Sequence, residues 1–203
     1  MSPRSLASLK PTAADILAKY TDPALHYAFL TYDRQGDVDE PLSPADVLSA
    51  NLLSLKLGWK EVIPLFASGD GPEQRLRLAL DRALKDLRDA KPLESYESVD
   101  ALEAAVASLT KANAATVKVR NWTPVTVSKV LHRRLPQIVP INDSRVRKFY
   151  DVKMKESGKL RASLWRDIRE NEDWMRPLAS TTTTPDGRPL SLLRLADVLI
   201  WSA

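Results

Sequence analysis

An all-α domain is the fold class this sequence predicts, and three observations carry that expectation. Helix starts are marked by caps at Ser43, Ser98 and Asn142 or Asp143. Apolar residues recur between those caps at the 3.6-residue spacing of a helix face. Strongly alternating runs, the signature of half-buried strands, are absent. About eight to ten helices are expected, covering well over the usual third of a globular chain. A length of 203 residues suits a single domain, placed at 12–203 behind a loose tail of residues 1–11.

In chain order, Thr12-Ala-Ala-Asp15 opens a short amphipathic helix with Ile16, Leu17 and Tyr20 inward, and Thr21-Asp22-Pro23 breaks it. His26 to Leu30 reads either as a helix end or as a strand, with His26 a core or helix-end residue. Asp33 to Glu40 is polar and reads as a surface loop. Ser43-Pro44-Ala45-Asp46 supplies an N-cap, a proline at the first helical position and an acid at the third. That helix carries Val47, Leu48, Leu52 and Leu53 and ends near Gly58-Trp59, with Asn51 expected to bond a neighbouring backbone group. Trp59 to Phe66 is a second amphipathic segment, and Ser68 to Pro72 a turn. Pro72 to Ala90 forms a long helix whose solvated face holds pairs such as Asp81–Lys85.

Ser98 caps a helix running to about Leu109, and residues 116–119 form a short strand or an extended linker. Beyond the segment 122–150, a basic helix continues to about Met154. Leu160 to Met175 then reads as a helix with Leu164, Trp165, Ile168 and Trp174 inward. Thr181 to Pro189 is a polar loop. Ser191 starts a final core-packing helix through Trp201, with Arg194 and Asp197 as a surface pair at i,i+3.

Residues 122–150 concentrate the chemistry. Thr123 is placed to cap a helix whose first position is Pro124, and Val125, Val127, Val130 and Leu131 give it an apolar side. Lys129, His132, Arg133 and Arg134 make its end cationic, which suits the negative end of the helix dipole. Pro136 stops it, Ile138-Val139 form a short buried run, and Pro140 fixes the chain before a second helix. Asn142 or Asp143 caps that helix, whose first turns hold Arg145, Arg147 and Lys148. A single acid, Asp143, thus sits at a helix start among bases.

Asp143-Ser144-Arg145-Val146-Arg147 resembles the Asp-x-His-Val-x-Arg run of helix-hairpin-helix DNA glycosylases. It is closer to the Pro-Ile-x-Asp-Ser-Arg-Val run of the bacterial 8-oxoguanine-glycosylase-like proteins. The whole chain is also similar to a largely actinobacterial domain of unknown function that shares the patterns Leu-His-x-x-x-Pro (Leu131 to Pro136) and Pro-Ile-x-Asp-Ser (Pro140 to Ser144). The glycosylase resemblance implies a helical fold and a catalytic carboxylate at Asp143, which would stabilise a sugar cation or activate a nucleophile. It also implies a lysine nucleophile on the preceding helix, for which Lys129 is the candidate, although the Lys-to-Asp segment is about one helical turn shorter than in the family. Where the family carries a Gly-rich phosphate-binding hairpin, Trp122 to Ser128 holds no glycine, so standard hairpin binding to DNA is lost or rebuilt.

The net charge of +4 is unevenly spread. Residues 111–169 hold 15 bases and 4 acids, while residues 1–110 hold 12 bases and 17 acids. Arg133, Arg134, Arg145, Arg147 and Lys148, with Trp122, are therefore candidates for binding DNA or another polyanion. The alternative is a basic face docking on the acidic N-terminal half. Zero cysteines exclude disulfides and fit a reducing cytoplasm. Two histidines and no cysteine give a metal little to bind, and no cofactor is expected. No apolar run is long enough to span a bilayer, and neither a phosphate-cradling loop nor a nucleophile elbow occurs.

Two functions compete. The one the sequence favours is a non-catalytic or divergent nucleic-acid-binding module, in which Asp143 only caps a helix, since capping aspartates are common and need no chemistry. The other is a base-excision glycosylase using Asp143. The second requires Asp143 to line a concave pocket large enough for a flipped base, with an aromatic such as Trp122 near its mouth.

Overall fold

The computed structural model describes residues 4–37 and 39–203. Among them the chain forms eleven α-helices: α1 (Ala13–Thr21), α2 (Phe29–Tyr32), α3 (Pro44–Ser49), α4 (Trp59–Phe66), α5 (Pro72–Leu87), α6 (Val99–Ala105), α7 (Ala107–Ala114), α8 (Pro124–His132), α9 (Ser144–Phe149), α10 (Ser157–Thr181) and α11 (Leu192–Ser202). Short 3-10 helices lie at Leu6–Thr12, Pro23–Leu25, Ala50–Leu53 and Leu93–Ser95. No strand forms among the described residues, and Thr183 and Pro189 make an isolated bridge. The all-α expectation holds.

The caps act as the sequence predicts. Ser43 accepts from the Asp46 N–H while the Asp46 carboxylate accepts from the Ser43 N–H, a complete capping box. Ser98 accepts from the Ala101 N–H, and Ser191 from the Arg194 N–H. Asn51 bonds backbone on both sides of its amide, to Leu57 O at 2.9 Å and from Leu57 N at 2.8 Å.

The core is built around α8 and α11. Every residue of α11 from Leu192 to Ile200 is buried, and the helix packs on α1, α9 and α10. On α8, all residues from Thr126 to His132 are buried, between α3, α5 and α7. A helix apolar around most of its surface belongs in the interior, as α11 does; α8 is buried although it carries Thr126, Ser128, Lys129 and His132.

Several expectations change. The tail is not loose over its described part, because Leu6 and Leu9 are buried on the core. The Asp167 carboxylate there accepts from Leu6 N at 2.9 Å and Ser5 Oγ at 2.6 Å. The helix after Ser98 breaks at Val106 (φ −96°, ψ 21°) into α6 and α7. Residues 116–119 form turns, and Lys118 and Asn121 take left-handed φ values of 71° and 58°. Helix α9 stops at Phe149, where Asp151 (φ 52°) turns the chain, so no basic helix reaches Met154. Asp81 pairs with Arg77 at 2.8 Å rather than with Lys85.

Candidate functional site

Local sequence brings the motif together. Thr123 caps α8 through the Thr126 N–H, with Pro124 at the first position. Leu135, Ile138 and Val139 are fully buried, and they pin the connecting turn to the core. Two side chains of α8 tie the returning strand of the turn. His132 Nδ1 donates to Val139 O at 2.6 Å, and Ser128 Oγ accepts from Asn142 N at 2.9 Å. Asp143 therefore begins α9 beside α8, and it, not Asn142, is the cap: its Oδ1 accepts from Arg145 N at 2.9 Å.

Its other oxygen meets Lys129. Lys129 Nζ donates to Asp143 Oδ2 at 2.8 Å and to Leu53 O at 2.8 Å. Lys129 is buried. Burial alone would raise the Asp143 carboxyl, but the Lys129 ammonium and the Arg145 N–H hold it below the ordinary value, so it is a carboxylate.

The pair lies in the wall of a cavity of about 170 Å³. Tyr20, Tyr27 and Trp201 supply aromatic wall, and Leu52, Ile141 and Val198 aliphatic wall. Tyr27 stacks obliquely on Tyr20 with ring centroids 5.5 Å apart, and meets Trp201 edge-on at 6.2 Å. His26 is exposed at the cavity, in the left-handed conformation (φ 54°) that ends a 3-10 turn. It is a helix-end residue, not a core one.

Behind the cavity stands a buried cluster absent from the sequence reading. Arg194 Nε donates to Asp33 Oδ1 at 2.7 Å, Nη2 to Asp33 Oδ2 at 3.0 Å and to the Tyr20 hydroxyl, and Nη1 to Asp197 Oδ2. Arg194 and Asp197 are thus not a surface pair, and Asp33 does not belong to a surface loop. Asp33, Asp143 and Asp197 surround Lys129 and Arg194. The signal for this was the composition of α11: charged residues inside an all-round apolar helix go into the interior with it.

The remaining candidate residues are dispersed. Trp122 is buried away from the cavity, and its Nε1 donates to Glu61 O at 3.4 Å. Arg133 and Arg134 converge on Asp46, at 3.0 and 2.6 Å. Arg120 reaches Glu61 at 3.3 Å, and Arg161 Nε reaches Glu103 at 2.6 Å. Four bases of the segment, Arg120, Arg133, Arg134 and Arg161, are therefore paired with acids of the N-terminal half. Arg147 Nη1 donates to Asn142 O at 2.6 Å. Arg145 donates to Trp201 O and lies 4.7 Å over the Trp201 ring, at the cavity rim. Lys148 is exposed, as are Lys153 and Lys155 beyond it.

Residues 13–203 match a family of unknown function, DUF6308. The chain belongs to this family. The matched stretch contains every residue that lines the cavity. No curated protein and no solved structure matches the chain. Among the described residues, no helix is long and apolar enough to cross a membrane.

Proposed function

We propose that the cavity binds a base-sized planar group and that the protein hydrolyses an N-glycosidic bond, with Asp143 as the catalytic carboxylate. One observation carries this reading: Asp143 and Lys129 meet at 2.8 Å in the wall of a cavity with an aromatic rim. The space of about 170 Å³ compares with an engineered cavity of ~150 Å³ that admits benzene. Trp201 takes the rim position for which Trp122 was the sequence candidate. The resemblance of residues 143–147 to helix-hairpin-helix glycosylases points the same way.

In this reaction the C1′–N bond breaks, the base leaves with the bonding electrons and gains a proton, and C1′ becomes cationic. The Asp143 carboxylate stabilises that charge, an effect that grows as the bound base excludes water. A water oxygen then bonds C1′ and loses a proton. Lys129 is a positioning residue here. Its ammonium donates to two acceptors, Asp143 and Leu53 O, whereas a Schiff-base nucleophile needs a free amine.

A second reading, a nucleic-acid-binding module without catalysis, is favoured by the 2.9 Å cap bond from Arg145 N to Asp143 Oδ1. A panel of oligonucleotides with damaged bases separates the two. The hydrolase reading expects base release by the wild type and none by a folded Asp143→Asn variant. Release of no base from the panel favours the binding module.

A further inference from the structure

The buried side chains of the cavity wall carry a charge that they do not balance among themselves; Arg145 lies outside that group, exposed at the rim over Trp201. Three carboxylates, Asp33, Asp143 and Asp197, share two bases, Lys129 and Arg194. Lys129 is committed to Asp143. Arg194 is divided between Asp33 and Asp197, so one negative charge lacks a basic partner. The hydrogen bonds place the deficit on Asp197. Asp33 receives two N–H groups of Arg194 and the Tyr20 hydroxyl at 3.3 Å. Asp197 is bonded by Arg194 through Oδ2, and its buried Oδ1 has no partner among the described residues. Asp197 is only 7% exposed, yet it forms part of the cavity wall. A buried carboxylate in that state is strongly unfavourable unless a proton or a cation answers it.

The wall beside Asp197 is aromatic, and ring faces attract cations. The His, Cys, Asp and Glu side chains described do not converge as a metal ion requires. We propose that this cavity selects a small planar organic cation, of the amidinium, guanidinium or protonated-heteroaromatic class, whose charge answers the Asp197 carboxylate in the wall and which packs on Tyr20, Tyr27 and Trp201. The proposal rests on the cavity being the ligand site, but not on glycosidic cleavage.

The proton is the competitor for Asp197. Burial pushes its carboxyl up to about 6 against the pull of Arg194, with Asp143 and Asp33 adding to the rise and Lys129 opposing it. The groups around it are Arg194 on its own helix, Tyr20 from α1, Tyr32 from α2, Asp33 after α2, Lys129 from α8 and Asp143 at the start of α9, with His26 at the cavity and Arg145 of α9 at its rim. Helix α10 and the first 3-10 helix also pack on α11 but contribute no residue to the wall. Cation binding should therefore strengthen as Asp197 loses its proton.

Benzamidine, a planar cation, and benzamide, its neutral near-isostere, are titrated against the wild-type protein at pH 8 and pH 5 by NMR. Benzamidine is expected to bind about tenfold or more tightly than benzamide at pH 8, with most of that preference lost at pH 5. Asp197→Asn, which retains an oxygen acceptor for Arg194, should abolish the preference. A His26→Gln variant should retain it. If Asp197→Asn does not fold, the wild-type pH comparison still decides. Equal binding of the two probes at pH 8, a preference independent of pH, or no binding of benzamidine overturns the proposal. Neither probe contains a glycosidic bond, so these results stand whatever the oligonucleotide panel gives.

Discussion

Asp143 serves two structural roles with two oxygens, and its substitutions separate structure from chemistry. Asp143→Asn preserves an oxygen cap for the Arg145 N–H, so loss of base release without loss of fold is expected of a catalytic carboxylate. Asp143→Ala should cost about 0.5–2 kcal/mol from the cap alone, with a further penalty from leaving the Lys129 ammonium buried, as chemical denaturation would register. His132 offers a separate test. Burial pushes its imidazole down to about 3, and Nε2 has no partner among the described residues. The unfolded chain binds a proton below about pH 6.5 that the folded chain refuses until about 3, so this group's contribution is lost as pH falls through that window. The loss approaches about 1.4 kcal/mol per pH unit at its steepest. Asp197, with its raised value, acts in the opposite direction between its unfolded and folded values. Comparing wild type with His132→Asn, whose amide N–H is suited to Val139 O, cancels the Asp197 effect and isolates the imidazole. A variant as acid-sensitive as wild type would exclude His132 as the source.

Among the elements, α3 shows how one cap stabilises more than its own helix. Asp46 closes the capping box with Ser43 and also receives Arg133 and Arg134 from the end of α8. Ser43→Ala removes the cap and the hydroxyl bond to Asp46 Oδ2 at 2.6 Å but leaves the carboxylate for the arginines, at a cost of about 0.5–2 kcal/mol. Asp46→Ala also leaves the Arg134 guanidinium buried without its acid, so a loss of about 3–5 kcal/mol is expected. Equal effects of the two substitutions in urea unfolding would mean that the arginines contribute nothing. The caps were legible because they are local: a serine, a proline and an acid within four positions determine a helix start. The break between α6 and α7 was not, because Val106 is an ordinary helix residue and the turn that it makes is set by packing.

Across the whole molecule, the N-terminal 3-10 helix and the basic segment carry the remaining predictions. Leu6 is fully buried, so Leu6→Ala should cost about 2–5 kcal/mol, visible as a lowered Tm; an unchanged Tm would restore the loose tail. The motif around α8 and α9, in turn, has few charges left for phosphate. Arg133 and Arg134 are occupied by Asp46, and exposed Arg145 by Trp201 O, which leaves Lys148, Lys153 and Lys155 as exposed bases near α9. Any binding to duplex DNA through those three should weaken with salt at a log–log slope of about −3 or shallower, given ~0.9 per phosphate. A much steeper slope would mean that the internal ion pairs open on binding.

The sequence by itself determined the helical class, most of the caps, the buried run Ile138-Val139 and Asp143 as a candidate, since each depends on neighbours within a few positions. Its charge asymmetry also allowed the docking of bases on the acidic half, without naming the pairs. Tertiary structure alone decided which charges are solvated. Asp33 lies 161 positions from Arg194, and no local pattern records a pairing at that separation. Trp122 and Trp201 are chemically alike in sequence, yet one is buried against α4 and the other lies at the cavity. That difference follows from where helix faces meet. The surplus carboxylate of the cavity likewise exists only once α1, α8, α9 and α11 converge, because a charge imbalance in solvent costs little and the same imbalance in the interior requires a counterpart.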